Sequence, residues 1–322
     1  MKILLTGCAG FIGARTAAML LERGDQVIGV DNLNDYYDVR LKHHRLESLN
    51  AQPGFSFHQI DIENREALAG IFSSCSFDAV INLAARAGVR ASMENPRVYL
   101  TTNTQGTLNI LELMVHHNVK QFVMASTSSL YAGAKMPFIE TADVTNPISP
   151  YAATKLAAEA LARTWHHLHR INVAVLRYFT VYGPAGRPDM SPFRFAEWIR
   201  RGQPIKLFGN GMQSRDFTYV DDVASATVAA TTLPGCETLN IGGGNQPFSL
   251  KSAIEIIERE ISKKAVIEYL PPNPADMQDT SADISKAARL LDWKPAIPPE
   301  EGLRRTAAWH LKNASWLDKI EL

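Results

Sequence analysis

Cysteine is scarce. Only Cys8, Cys75 and Cys236 occur in 322 residues, far apart and without a C-x-x-C spacing. That pattern argues against a disulfide framework and a structural metal, and for a reducing compartment, with the cytoplasm as the expectation. An excess of one charge is also missing, since 33 Lys+Arg face 33 Asp+Glu. No global field draws the chain to nucleic acid or a membrane surface, so any anionic ligand must be held by local groups. No apolar run reaches the ~18 residues of a membrane helix. Met1 leads straight into the strand-like Ile3–Thr6 rather than into the ordered regions of a signal peptide. Repeats and low-complexity segments are absent too.

What is there is ordinary globular composition, 46% hydrophobic and 20% charged, on a length that suits one large or two medium domains. Lys2–Thr6 reads as a buried strand, a Gly-rich turn follows, and a helical pattern runs from about Phe11 to Arg23 before Gly24. Gln26–Val30 is a second strand, ending in Asp31. The alternation continues through strands at Phe55–Ile60, Asp78–Leu83, Gln121–Ser126 and Asn172–Tyr178. Helices are expected between them at Arg65–Phe72, Val98–Val115 and Tyr151–His169. Strands alternating with helices of this length predict a mostly parallel sheet covered on both faces. After Tyr182 the rhythm breaks at Gly183, Pro184, Gly186 and Pro188, and short mixed elements follow. The expected class is α/β: a Rossmann-type doubly wound sheet over residues 1–180, with a return near 215–240. A smaller mixed α/β substrate domain occupies most of 181–322.

Gly7, Gly10 and Gly13 lie in TGCAGFIG, with Phe11 and Ile12 between the last two, after a strand and opening a helix. Glycine lets a backbone turn tightly and approach a pyrophosphate, and the helix N-terminus offers free N–H groups. The spacing is GxxGxxG rather than GxGxxG. Asp31, followed by Asn32, ends the second strand, where a carboxylate accepts from ribose hydroxyls and repels a 2′-phosphate; NAD is therefore expected over NADP. Asp61 and Ile62 follow the third strand and are placed near the adenine.

Tyr151 and Lys155 are four apart at the start of a helix, on one face. An ammonium beside a phenol favours the phenolate, which can take a proton from an alcohol while hydride leaves the carbon. Upstream, Ser126–Tyr131 (STSSLY) follows a strand end, where open α/β sheets bind ligands. Hydroxyls there could hold the reacting oxygen against Tyr151.

These motifs, with Leu83-Ala84-Ala85, Arg177-Tyr178-Phe179, Tyr182-Gly183-Pro184 and Arg215–Asp222 (RDFTYVDD), come in an order that resembles the extended short-chain dehydrogenases/reductases of the epimerase/dehydratase type. The resemblance covers nearly the whole chain. It implies an NAD-dependent isomerase acting on a nucleotide sugar, with Tyr151, Lys155 and Thr127 catalytic and Leu83, Ala84, Ala85 and Tyr178 along the cofactor. It also implies a homodimer joined through the helices at Val98–Val115 and Tyr151–His169. Dehydratases of this type usually carry Asp-Glu after the catalytic Thr, and the decarboxylases a Glu nearby. Ser128-Ser129 stands here instead, so oxidation and re-reduction at C4 is the economical reaction.

Asp31–Lys42 and Gly183–Met190 are similar to segments of the UDP-glucuronate 4-epimerases, and Thr180 stands where neutral-hexose epimerases usually have Asn. The resemblance thus implies 4-epimerisation of UDP-glucuronate to UDP-galacturonate. Thr127, Ser128, Ser129 and Thr180 would bind the sugar carboxylate, Arg90, Arg187 and Arg215 the UDP phosphates, and Asp276 the uridine ribose. The rival expectations are a UDP-glucose/galactose 4-epimerase, a UDP-glucuronate decarboxylase and a non-catalytic NAD-binding redox sensor. The Tyr131-Ala132-Gly133 sequence departs from the usual Tyr-Gly.

Overall fold

The computed structural model describes residues 1–244, 248–271 and 277–322. Its main sheet contains β1 Lys2–Thr6, β2 Gln26–Asp31, β3 Phe55–Gln59, β4 Ala79–Asn82, β5 Gln121–Thr127 and β6 Asn172–Tyr178. The strand Cys236–Ile241 adds to the edge beside β6. All seven are parallel, in the order β3-β2-β1-β4-β5-β6 followed by Cys236–Ile241.

The near-continuous apolar runs of the strands follow from burial on both faces. Successive side chains point to opposite sides of a strand, and the cores divide accordingly. Ile3 and Leu5 pack with Ala17 and Leu20 of the helix Phe11–Glu22 and with Val223 and Ala226 of the helix Val220–Ala229. Leu4 and Val80 face the other way, against Ile110 and Met114 of Gly106–His116 and Ala158 and Ala162 of Pro150–His169. After β3 the chain crosses to the far side of β1 to form β4. The connections from β1 and β4 therefore leave in opposite directions and open a crevice at the strand carboxyl ends.

The helix expected over Val98–Val115 is differently built. It begins as Pro96–Tyr99, widens into a π-helical stretch at Leu100–Gln105 and becomes α-helical at Gly106–His116. The wide turns aim Asn103 inward, where its Nδ2 donates to the Arg86 carbonyl at 2.9 Å and to Thr154 Oγ1 at 3.1 Å. π-Turns of this kind frequently mark functional sites. A helix at Arg40–Asn50 was not anticipated from sequence. Its inward stripe of Leu41, Arg45, Leu46 and Leu49 is interrupted by a buried arginine, which hides the apolar periodicity.

A second core gathers Phe195, Ile199, Leu207, Ile254, Ile257 and Leu303 between the helices Ser191–Arg201, Leu250–Ile261 and Pro299–Lys312. Two parallel strand pairs border it: Ile205–Phe208 with Ile267–Leu270, and Thr180–Tyr182 with Phe217–Tyr219. Among the described residues no helix is long and apolar enough to cross a membrane.

Candidate active site

A cleft of 740 Å³ runs along the carboxyl ends of the main sheet and under the second core. At one end lies the glycine-rich turn. Gly7 has φ +72°, and a Cβ there would lie 2.6 Å from the Ala84 nitrogen. A Cβ on Gly13 would lie 2.0 Å from the Gly7 carbonyl oxygen, so the helix Phe11–Glu22 can approach the turn only without a side chain there. That helix begins with no side-chain cap, and Phe11, Ile12 and Gly13 line the cleft. Uncapped first-turn N–H groups and the positive end of the helix dipole suit a phosphate. The cradle fits the pyrophosphate of a dinucleotide.

Asp31, 8% exposed, closes this end. Its Oδ2 accepts from the Ala9 N–H at 3.2 Å and its Oδ1 from the Leu33 N–H at 2.9 Å, with Lys42 Nζ 3.7 Å away. Burial lowers the Lys42 pKa and the charge of Asp31 opposes it. Asn32 donates to Asp61 Oδ2 at 2.7 Å, which ties the β2 and β3 ends together.

Midway along the cleft stands Tyr151. Ser149 caps its helix by accepting from the Ala152 N–H at 3.2 Å, and Pro150 occupies the first turn, where a missing N–H costs nothing. The phenol and Lys155 therefore sit on successive turns of one face. Lys155 is buried, and its Nζ donates to the Ala125 carbonyl of β5 at 2.9 Å. Burial lowers the Lys155 pKa to about 8, with the Glu159 carboxylate acting the other way. Burial raises the Tyr151 pKa, while a hydrogen bond with Thr127 and the charge of Arg187 act to lower it. The bond to the Ala125 carbonyl fixes the Lys155 amine one helical turn from Tyr151.

The hydroxyl cluster turns off the end of β5. Thr127 Oγ1 accepts from the Ser129 N–H and donates to Ser129 Oγ, both at 3.1 Å, as Ser128–Tyr131 winds into a 3-10 turn. Thr180 opens the strand Thr180–Tyr182 and faces the same cleft. No Asp or Glu occurs in Ser126–Tyr131.

Cations line the far part. Arg187 forks onto Asp189, with Nε 3.0 Å from Oδ1, and its guanidinium lies 5.9 Å from the centre of the Tyr36 ring. Arg90 stacks over Phe208 at 4.5 Å, and Arg215 donates to the carbonyls of Ser214 at 2.8 Å and Gln278 at 3.1 Å.

The sequence-derived residues Gly7, Gly10, Phe11, Ile12, Gly13, Asp31, Asn32, Asp61, Ile62 and Leu83–Ala85 all line this one cleft. So do Arg90, Thr127, Ser128, Ser129, Tyr151, Lys155, Tyr178, Thr180, Arg187 and Arg215. Asp276 lies outside the described residues. Tyr178 contributes its ring only, since its hydroxyl is paired with Thr227 Oγ1 at 2.7 Å.

Several residues in the cleft or packed against it escaped sequence reasoning. Tyr99 sets its ring edge-on to Tyr151, with 6.1 Å between centroids, and donates to the Ala87 carbonyl at 3.0 Å. Tyr36 reaches Asp189 Oδ2 at 3.5 Å. Arg86 donates to Asn34 Oδ1 at 3.2 Å, and its buried Nε has no hydrogen-bond partner among the described residues. Tyr36 lay inside a segment already singled out, and Arg86 directly follows Leu83–Ala85. Tyr99 carried no local signal.

Known proteins agree with this geometry. Residues 3–242 match the NAD dependent epimerase/dehydratase family. The chain is 56% identical to a UDP-glucuronate 4-epimerase of Thermodesulfobacterium geofontis, with 99% of each covered. Among solved structures it is similar to a UDP-glucuronic acid 4-epimerase from Bacillus cereus in complex with UDP-glucuronic acid and NAD: 36% identity, TM-score 0.90, covering 97% of this chain and 99% of that one. A Thermotoga maritima UDP-glucose 4-epimerase with UDP-glucose is 32% identical, with TM-score 0.88 over 98% of this chain and all of that one. The chain belongs to the NAD dependent epimerase/dehydratase family.

Proposed function

We propose that this chain is an isomerase that interconverts UDP-glucuronate and UDP-galacturonate by epimerisation at C4, with NAD as its cofactor. One observation carries the reading within the site. The hydroxyl-bearing Thr127, Ser128, Ser129 and Thr180 line the same cleft as Tyr151, and no Asp or Glu occurs in Ser126–Tyr131. Hydrogen bonds from neutral donors to an anion are roughly twice as strong as neutral ones, so such a cluster can hold a sugar carboxylate. The 56% identity to a UDP-glucuronate 4-epimerase supports the same substrate.

Bound NAD supplies a reversible acceptor for the hydride at C4. The rest is the work of the chain. Tyr151, as phenolate, takes the proton of the 4-hydroxyl and returns it to the 4-oxygen once the sugar has presented its other face. Thr127 orients the phenol, and Lys155 keeps a positive charge one turn along the helix. Arg90, Arg187 and Arg215 grip the diphosphate, and Asp276 the uridine ribose, while the sugar turns. The 4-ketone is a β-keto acid. Holding its carboxylate on Ser128, Ser129 and Thr180 keeps the breaking carbon–carbon bond out of line with the carbonyl, and no general acid stands there to assist loss of CO2.

Gly7, Gly10, Phe11, Ile12 and Gly13 would bind the cofactor pyrophosphate, and Asp31, Asn32, Asp61 and Ile62 the adenosine. Residues 1–180 would form the cofactor domain and 181–322 mainly the sugar-nucleotide domain. A cytoplasmic homodimer joined through the helices that contain Val98–Val115 and Tyr151–His169 completes the proposal. Leu100, 57% exposed, and Leu168, 60% exposed, lie on those helices and give a partner apolar surface to cover.

Proton NMR of purified protein with UDP-glucuronate and no added reductant tests the activity. UDP-galacturonate in steady ratio with substrate is the expected result. UDP-xylose or its 4-keto precursor would make the protein a decarboxylase. Interconversion of UDP-glucose and UDP-galactose alone would remove the carboxylate role of the hydroxyls. No turnover of any UDP-sugar would leave an NAD-binding sensor.

A further inference from the structure

The helix Arg40–Asn50 supplies nothing to the proton-transfer chemistry, yet it buries a charged group at its centre. Arg45 is 6% exposed. Its Nη1 donates to the Ala9 carbonyl at 3.1 Å and to the Tyr37 hydroxyl at 2.8 Å. Its Nη2 donates to the carbonyls of Ala185 at 2.8 Å and Gly186 at 2.9 Å, and its Nε to Ala185 at 3.0 Å. The main-chain acceptors belong to two different segments. Ala9 is part of the glycine-rich turn that cradles the dinucleotide. Ala185 and Gly186 immediately precede Arg187.

Three features make this more than packing. A buried cation is costly unless its donors are satisfied, and here all three guanidinium nitrogens are used. Three of the four acceptors are main-chain oxygens, and the five donors of a guanidinium fork can reach all four at once where the compact charge of an ammonium does not. Ala185 has φ +51°, a conformation that side-chain-bearing residues rarely adopt and that persists where surrounding contacts impose it. Ala9 is also gripped from its other side, since its N–H donates to Asp31. One guanidinium thus sets the spacing between the cofactor turn and the turn that aims Arg187.

We propose that Arg45 is a positioning residue that couples the two halves of the cleft, so that NAD and the nucleotide diphosphate each tighten the binding of the other. This rests on the UDP-sugar reading above. Coupling between two sites is reciprocal, and values of 5- to 150-fold are typical.

The test titrates UDP by calorimetry into the full chain, with and without saturating NAD. Wild type should bind UDP about tenfold tighter with NAD present. Arg45→Lys, with an unchanged circular dichroism spectrum, should bring that ratio to within twofold of one. Its KM for UDP-glucuronate should rise while kcat at saturation stays within a few-fold, because Arg45 touches no reacting atom. Tyr37→Phe, which removes one acceptor, should give an intermediate ratio. A wild-type ratio retained in Arg45→Lys overturns the proposal, as does undiminished coupling in Tyr37→Phe should the lysine variant fail to fold. UDP binding to wild type that ignores NAD overturns it alone. Failure of wild type to bind UDP at all overturns the functional reading and this proposal together.

Discussion

Glu159 lies one helical turn beyond Lys155 and two beyond Tyr151, fully buried behind the reaction centre. Its carboxylate accepts from Arg177 Nε at 3.0 Å and Nη2 at 2.8 Å, from Arg163 Nη2 at 2.6 Å and from Ser126 Oγ at 2.6 Å. Burial would raise its pKa, but the Arg177 hydrogen bonds and charge, with Ser126 and Arg163, hold it below the usual carboxylate value. Glu159→Gln keeps the shape and removes the charge, leaving the 2%-exposed Arg177 uncompensated. Breaking a buried pair costs about 3–5 kcal/mol, and the low end applies because the amide oxygen still accepts. With about 2.1 cal/mol/K of unfolding entropy per residue, the 322-residue chain has about 680 cal/mol/K, so about 3 kcal/mol lowers Tm by roughly 4 °C. A carboxylate with a depressed folded pKa stabilises above its unfolded pKa and loses that contribution as pH falls through the folded value. The Tm gap between wild type and Glu159→Gln should therefore be full at pH 7 and narrow below about pH 4.5. Glu159 also supports the Lys155 charge, so the variant should lose activity at lower pH on the alkaline side than wild type does. Calorimetric Tm across pH, paired with pH profiles of kcat/KM, makes the measurement. Equal Tm values at pH 7 would refute the energetic argument, and coincident alkaline limbs the link to Lys155.

The wild-type profile itself should fall as pH rises past about 8, where Lys155 loses its proton; a limb two units higher would contradict the burial argument. Gly13→Ala must push against the Gly7 carbonyl, which a Cβ would meet at 2.0 Å, so NAD affinity measured by fluorescence titration should fall at least tenfold, and unchanged affinity would show that the turn yields. Tyr151→Phe should cut turnover by roughly 10²–10⁴ with UDP affinity unchanged, and activity within tenfold of wild type would assign the proton transfer elsewhere. Thr180→Val should raise KM for UDP-glucuronate several-fold and leave the Kd of UDP alone; weakened UDP binding would place the hydroxyl at the wrong end of the ligand.

Much of this arrangement was legible because the signals are local. The turn at Gly7–Gly13, the strand-ending Asp31 and the Tyr151/Lys155 pair each depend on backbone geometry within a few residues. The strands of the parallel sheet are apolar throughout because both faces are covered, so β1, β4, β5 and β6 were recognisable without their neighbours. Even so, proximity does not give pairing. Tyr151 and Lys155 were rightly set on one helix face, but the sequence could not foresee that the Ala125 carbonyl would take the lysine amine. The π-helical Leu100–Gln105 escaped because an inward-turned Asn103, held by Arg86 and Thr154, matters more there than helical propensity.

The amino-acid sequence by itself determined the class of fold, the glycine-rich turn and the placing of Tyr151 and Lys155 on one helix face. Each of these arises from periodicity, from the absence of a side chain or from residues one helical turn apart. Only the tertiary structure decided which distant groups meet. Glu159 and Arg177 come together across a helix and a strand, Tyr99 edges onto Tyr151, and Arg45 spans Ala9 and Ala185. Such contacts join residues from 18 to 140 positions apart, and no local propensity encodes them. They follow from how the sheet and its covering helices pack, which fixes the distances between side chains whose chemistry the sequence had already supplied.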